Sequence, residues 1–263
     1  MNRLIAAAAI AGAAAAAVPG QVLAQATVEE PTHSLSANLG LVSEYRYRGI
    51  GQTNGDPAVQ AGLDYTHASG VYAGTWWTNV SWLSDASDEV SNSLETDVYA
   101  GYRGSFGDFG YDVGVLRYLY PGSFPRGFTS PHTTELYVAG SWRMFTLKYS
   151  HAMTNLFGFD DSEGAGYLEL NGAFELGAGL GLVAHVGHQR IPSGSVGGVE
   201  IRSRDDCSYT DWSLGLTKEF VGLDWKLSWI DTNADGGAGE CNRNAFDRDV
   251  GRSVLELSVG RTF

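Results

Sequence analysis

At two-residue steps along its extended stretches, this chain repeatedly places groups that carry charge. Glu44, Arg46 and Arg48 form one such set, and Glu95, Asp97 and Arg103 another. Asp64, Asp112, Glu135, Arg143, Lys148, Glu169, Glu175, Asp211, Asp224, Lys226 and Glu256 fall at the same kind of alternate position. Successive side chains of a strand point to opposite faces, so each set shares one face. Such a face can hold itself together through cross-strand ion pairs. It can also present fixed charge to whatever passes along it and sort solutes by sign. Acids outnumber bases in these sets by 11 to 6, which favours cations. Arg46 and Arg48 are expected to make a basic rung facing Asp64, Glu95 and Asp97.

Other candidate chemistry is thinner. The tract Asp231–Gly236 resembles the start of a calcium loop, with Glu240, Asp247 and Asp249 nearby. A full loop needs Glu at its twelfth position, which here is Asn242. A solvated acidic loop is the simpler reading, and no metal is assigned. His67-Ala68-Ser69-Gly70 is similar to the His-x-Ser stretch of outer-membrane phospholipases but lacks the Asn expected after the Ser. Asp205 and Asp206, with His185 and His188 before them, suggest at most a surface protease of the omptin kind. Neither offers a nucleophile paired with a base, so no catalytic residue and no cofactor are expected.

What must position the charged face is a set of strands. From Leu35 to Tyr47 the opposite parity reads Leu35, Ala37, Leu39, Leu41, Ser43, Tyr45, Tyr47. Clear alternation returns near 57–66, 93–103, 167–176 and 255–263, and weaker versions near 70–80, 109–120, 133–143, 144–153, 179–189, 208–218 and 222–231. That gives about 12 strands, and their connections alternate in length. Tight turns at His67–Gly70, Gly104–Asp108, Arg143–Met144, Gly177–Gly179 and Glu219–Gly222 separate long polar loops. This is the layout of a transmembrane antiparallel β-barrel with short periplasmic turns and long extracellular loops. A soluble β-barrel also alternates, but it turns its apolar side chains inward. The ionic parity here is too rich in Asp, Glu and Arg to fill a dry interior. Tyr45, Tyr47, Tyr65, Tyr102, Tyr149, Trp212, Trp225 and Trp229, on the apolar parity, are expected to form interfacial girdles.

The ends of the chain fit export. Asn2 and Arg3, the apolar run Leu4–Val18 and Ala24-Gln25-Ala26 have the order of a secretory signal cleaved after Ala26. Residues 27–33 then form a periplasmic lead, and 34–263 the barrel. Phe263, behind Leu255, Leu257 and Val259 at two-residue steps, has the form read by the barrel-assembly machinery of Gram-negative bacteria. An aromatic terminus in lipid requires a paired backbone, so the last strand should close on the first. With 17 Lys+Arg against 30 Asp+Glu, the chain is unsuited to nucleic acid. Two cysteines are too few for a disulfide scaffold. Both fall on the extracellular side, where an oxidising setting allows a Cys207–Cys241 bond between two loops.

The segments Glu44-Tyr45-Arg46-Tyr47-Arg48-Gly49, Gln60-Ala61-Gly62-Leu63-Asp64-Tyr65 and Gly70-Val71-Tyr72-Ala73-Gly74-Thr75-Trp76 resemble the opening of the TorF family of porins. Tyr118–Gly122, Glu135–Tyr137 and Ser208–Trp212 are similar to later blocks of that family. The resemblance implies an outer-membrane barrel acting as a channel, and supplies neither a solute nor functional residues. The expectation is passive diffusion of small polar solutes or ions through a charge-lined lumen, among outer-membrane lipid and lipopolysaccharide. A closed barrel working through its loops as a structural or adhesion protein is the alternative, with an outer-membrane hydrolase well behind.

Overall fold

The computed structural model describes residues 32–196, 199–203, 207–237 and 240–263. The expected signal sequence and nearly all of the lead lie outside the described residues. Alternating sequence becomes strand almost wherever it occurs: β1 (His33–Val42), β2 (Ala58–His67), β3 (Val71–Asn79), β4 (Leu94–Phe106), β5 (Phe109–Leu119) and β6 (Thr133–Trp142). The second half supplies β7 (Phe145–Ala152), β8 (Gly166–Gly177), β9 (Leu180–Arg190), β10 (Tyr209–Phe220), β11 (Leu223–Thr232) and β12 (Val254–Thr262). Each strand pairs antiparallel with its neighbours, and β12 returns to β1, closing a barrel of 12 strands. Gly40 opposes Gly260 at that seam, and the amide of Phe263 donates to Ala37 at 2.8 Å. Closure removes the unpaired edges an open sheet would expose.

Five short turns (68–70, 107–108, 143–144, 178–179, 221–222) lie on one rim, and six longer connections on the other. Ala178-Gly179 and Val221-Gly222 have positive φ at both positions, as hairpin turns matching strand twist require. Leu39, Leu63, Val98, Leu136, Leu147, Leu170, Leu214 and Leu257 are exposed on the outer wall. So broad an apolar surface is unfavourable in water and suited to lipid. No helix of the described residues is long and apolar enough to cross a membrane; the strands carry the apolar belt instead. Tyr102, Tyr149 and Trp229 are exposed on the same wall.

One stretch departs from the expected wall. The alternation continues to Tyr47, but β1 stops at Val42. Within the connection 43–57, residues 44–53 fold into the lumen, and Tyr45 is 3% exposed, so Tyr45 and Tyr47 are not part of a girdle. The chain leaves the wall where its side chains find polar partners inside, as the contacts below make plain.

Candidate functional site

Inside the half of the barrel nearer the long loops, a two-stranded hairpin pairs Arg46 with Gly51 and Tyr47 with Ile50. Its turn is Arg48-Gly49, at φ 48° and 78°, the geometry of a tight hairpin turn. A Cβ at Gly49 would collide with the side chains of Thr232 and Asp211, so glycine alone lets the tip approach the wall. The tip delivers Arg48 to Glu135 on β6, with Nη1–Oε1 3.0 Å and Nη2–Oε2 2.7 Å. Arg48 also donates to Gln189 Oε1 at 2.7 Å and lies 4.2 Å from the ring centre of Tyr167. Arg46 pairs with Glu44 at 2.7 Å and donates to the carbonyls of Gly49, Val250 and Arg252. The expected rung against Asp64, Glu95 and Asp97 is therefore not formed. The arginines belong to an inward loop, which turns them towards other partners.

The three acids have their own surroundings. Glu95 accepts from the hydroxyls of Tyr45 (3.0 Å) and Tyr120 (2.8 Å). Asp64 accepts from Tyr99 at 2.6 Å. Asp97 is buried, with one oxygen unpartnered among the described residues.

Further round the wall, tyrosines organise the charge. Tyr72 donates to Asp112 at 2.6 Å and is hydrogen-bonded to Tyr137. Arg103 lies 5.1 Å from the Tyr72 ring centre and donates to Thr66 at 3.0 Å. Lys148 sits 3.9 Å from Glu169 and 4.6 Å from the Tyr137 ring centre. Tyr167 donates to Asp211 at 2.8 Å, and His185 Nε2 lies 2.9 Å from the same carboxylate. Lys226 pairs with Glu256 at 3.6 Å. Glycine leaves room for each of these rings: Gly101 opposite Tyr72, Gly74 opposite Tyr99, Gly114 opposite Tyr137, and Gly187, two residues along from the partner of Tyr167, against the Tyr167 ring. None of these four tyrosines is among the lining residues expected from charge and parity. Three carry a signal in the sequence, Tyr99 with Glu95 and Asp97, Tyr137 with Glu135 and Tyr167 with Glu169 on one parity, whereas the strand of Tyr72 has no charged residue.

The lumen is filled unevenly. Glu95, Asp97, Glu135 and Asp211 are buried under the inward loop, whereas Glu175 and Glu219, near the short-turn rim, are exposed. Arg143, expected on the inner wall, occupies a turn at φ 53° and pairs on the surface with Asp108 at 3.8 Å. Asp224 is half-buried. Over the hairpin, the other long loops contribute Leu83, Tyr120, Phe124 and Phe157 to an aromatic cap. His132, in the loop after β5, accepts from the Tyr120 amide at 3.1 Å. Burial and nearby Arg117 lower its pKa from the ordinary value.

Cys207 and Cys241 are joined, with Cα atoms 5.4 Å apart, tying the β9–β10 and β11–β12 connections. Ser69 lies 2.7 Å from His67 Nδ1 within a single exposed turn, where local backbone geometry alone brings them together. Asp205 and Asp206 lie outside the described residues. His188 faces outward to Thr210 at 3.0 Å, away from His185. Among the described residues, no group of three or more His, Cys, Asp or Glu side chains is placed to hold a metal.

A closed antiparallel barrel with an apolar outer wall and an ionic lumen has the architecture of the outer-membrane porins. Solved structures of such barrels share it. The chain resembles the KdgM porin at 10% identity and TM-score 0.51, over 87% of this chain and 98% of that one. It resembles the COG4313 outer membrane channel from Pseudomonas putida F1 at 13% identity and TM-score 0.52, over 92% and 100%. Residues 25–263 match the family described as "Bacterial protein of unknown function (Gcw_chp)", and the chain belongs to that family. No curated protein matches it.

Proposed function

We propose that this barrel is exported on a cleaved signal at 1–26, resides in the outer membrane, and passes small polar solutes or ions by passive diffusion. The observation that carries the reading is the opposition of two surfaces, leucine and valine outside and Asp, Glu, Arg and Lys side chains within. An ionic lumen holds water, and its fixed charges set barriers that depend on the sign of the solute. The proposed lining is Glu44, Arg46, Arg48, Asp64, Glu95, Asp97, Arg103, Asp112, Glu135, Lys148, Glu169, Glu175 and Asp211. Acids predominate, so the passage prefers cations modestly. Because residues 44–53 occupy the outer half, the passage is narrow. The TorF likeness and the porin fold support the same reading. Outer-membrane lipid and lipopolysaccharide would surround the belt, and the assembly machinery would read Phe263.

Purified protein in a planar bilayer should give small stepwise conductance and a cation-directed reversal potential under a salt gradient. Absence of steps sinks the channel, and anion preference sinks the charge assignment. The filled outer half and the disulfide-tied loops favour one second reading, a closed barrel displaying its loops. That reading predicts a silent bilayer.

A further inference from the structure

On the outer wall at the long-loop end, three neighbouring strands build a patch graded from polar to apolar. Their registers align His151 of β7, Gly166 of β8 and Arg190 of β9 in one row. The next row holds Tyr149, Leu168 and His188, and the one after it Leu147, Leu170 and Val186. Val186 and the three leucines are exposed, so all three rows face away from the lumen. Two strand spacings set His151 and Arg190 about 10 Å apart. Gly166 puts no side chain between them. A Cβ there would lie 2.7 Å from the Tyr149 hydroxyl oxygen, so that hydroxyl occupies the gap. His151 Nδ1 is 3.4 Å from the same hydroxyl. Arg190 is exposed, donates to the Gly164 carbonyl at 3.4 Å, and forms no ion pair among the described residues. Glu163, exposed in the connection before β8, pairs with none of these groups.

Such bases are confined to one arc of the rim. Besides His151, His188 and Arg190, β5 turns Arg117 outward at its long-loop end, where it donates to Thr134 at 2.5 Å and forms no ion pair among the described residues. The long-loop ends of β10–β12 and β1–β4 turn no base outward, and β11 turns out Asp231. We infer that this arc binds a membrane lipid whose headgroup carries a phosphate monoester, as lipid A does. Arg190, Tyr149 and His151 would hold the phosphate, and an acyl chain would run down Leu168, Leu170 and Val186. A guanidinium meets phosphate with two parallel hydrogen bonds, and here it is uncommitted to any carboxylate. The gradient sets the class. An anion matches the top row and hydrocarbon the bottom row, and a lipid offers both in one molecule, whereas free phosphate would leave the leucines uncovered. The inference rests on the outer-membrane residence proposed above and not on conduction.

The test is native mass spectrometry of the full chain in detergent micelles, titrated with dioleoylphosphatidic acid. Dioleoylglycerol (the same chains without phosphate) and dioleoylphosphatidylcholine (a phosphate balanced by its own cation) are the comparison arms. Inorganic phosphate is the competitor. One phosphatidic acid per chain is expected to stay bound, more tightly than either comparison and undisturbed by millimolar inorganic phosphate. Arg190→Gln should weaken it about 10-fold, as expected for losing a charged hydrogen bond. Arg190→Lys should weaken it less, because the charge stays and only the fork is lost. Arg261→Gln, at an exposed arginine on the opposite rim, should change nothing. Protease resistance of the barrel checks that each variant is folded. Equal binding of either comparison lipid, or a loss from Arg190→Gln no larger than from Arg261→Gln, overturns the proposal. Displacement by inorganic phosphate overturns the lipid as occupant. A folded chain that stays soluble without detergent overturns the residence itself, and the lipid site with it.

Discussion

Arg48 forks onto both carboxylate oxygens of Glu135, reaching them from a loop folded into the lumen rather than from the wall. Both side chains are almost fully buried, so the pair pins the hairpin tip against β6. Removing one partner leaves the other charge buried and uncompensated, which costs about 3–5 kcal/mol. Glu135→Gln and Arg48→Met are each expected to release residues 44–53 and raise single-channel conductance. Arg48→Lys should behave similarly, because an ammonium cannot make the fork. Unchanged conductance in all three would mean that the tip does not limit the passage.

The Cys207–Cys241 bond closes a loop of 34 residues between two connections at the long-loop rim. By the chain-entropy argument, such a closure stabilises by about 3–4 kcal/mol. Reduction, or Cys207→Ser with Cys241→Ser, should lower the unfolding free energy by about that amount, and the denaturant midpoint by that amount divided by the m-value. It should also expose 233–253 to proteolysis while β1–β12 stay protected.

Gly187 faces the Tyr167 ring, and a Cβ there would collide with it. Gly187→Ala should displace Tyr167 from Asp211 and from beneath Arg48, destabilising by about 1–3 kcal/mol as overpacking does. Adding Tyr167→Ala should recover the steric part of that loss. The double variant would then lie closer to Tyr167→Ala alone than additivity predicts.

His132 must be neutral at Nδ1 to accept the Tyr120 amide, and its pKa is lowered in the folded chain. The folded state therefore binds the proton less readily than the unfolded state. This contribution is present above the unfolded value of about 6.5 and is lost as pH falls towards the lowered folded one. Acidification from pH 7.5 to pH 5 should lower the hydrogen-exchange protection factor of the Tyr120 amide, taken against its intrinsic rate at each pH, and loosen the loop 120–132. His132→Asn should remove that pH dependence.

The period of two made the wall legible because lipid and water impose opposite demands on alternate side chains. It located twelve strands, the alternation of connections and the closing seam. It could not mark where β1 ends, because Ser43, Tyr45 and Tyr47 keep the outward parity after the chain has left the wall. Only the Arg48-Gly49 turn distinguishes an inward hairpin from a longer strand, and a lone Gly is a weak sign. Pairing of the arginines was equally hidden, since parity assigns a face and never a partner across the lumen. The tyrosine–glycine pairs were within reach. Tyr99 and Tyr167 stand among acids on the ionic parity, where a membrane girdle has no place.

Selectivity should depend on which acids meet water. Glu95, Asp97, Glu135 and Asp211 are buried, and three of them are held by tyrosine hydroxyls or Arg48. A passing ion cannot closely approach a carboxylate enclosed by packing, as Asp97 is, and Glu135 is already compensated by Arg48. Glu175 and Glu219 are exposed and Asp224 half-buried towards the short-turn rim, where fixed charge raises the local cation concentration. Glu175→Gln, Glu219→Gln and Asp224→Asn together should therefore shift the reversal potential towards zero with little change in fold. The shift should be largest at low salt, because a Debye length of about 10 Å at 0.1 M shrinks to about 3 Å at 1 M. Asp97→Asn should leave the reversal potential nearly unchanged. If the triple variant keeps its cation preference and Asp97→Asn loses it, the buried acids set the barrier, and the inward hairpin must part from the wall during conduction.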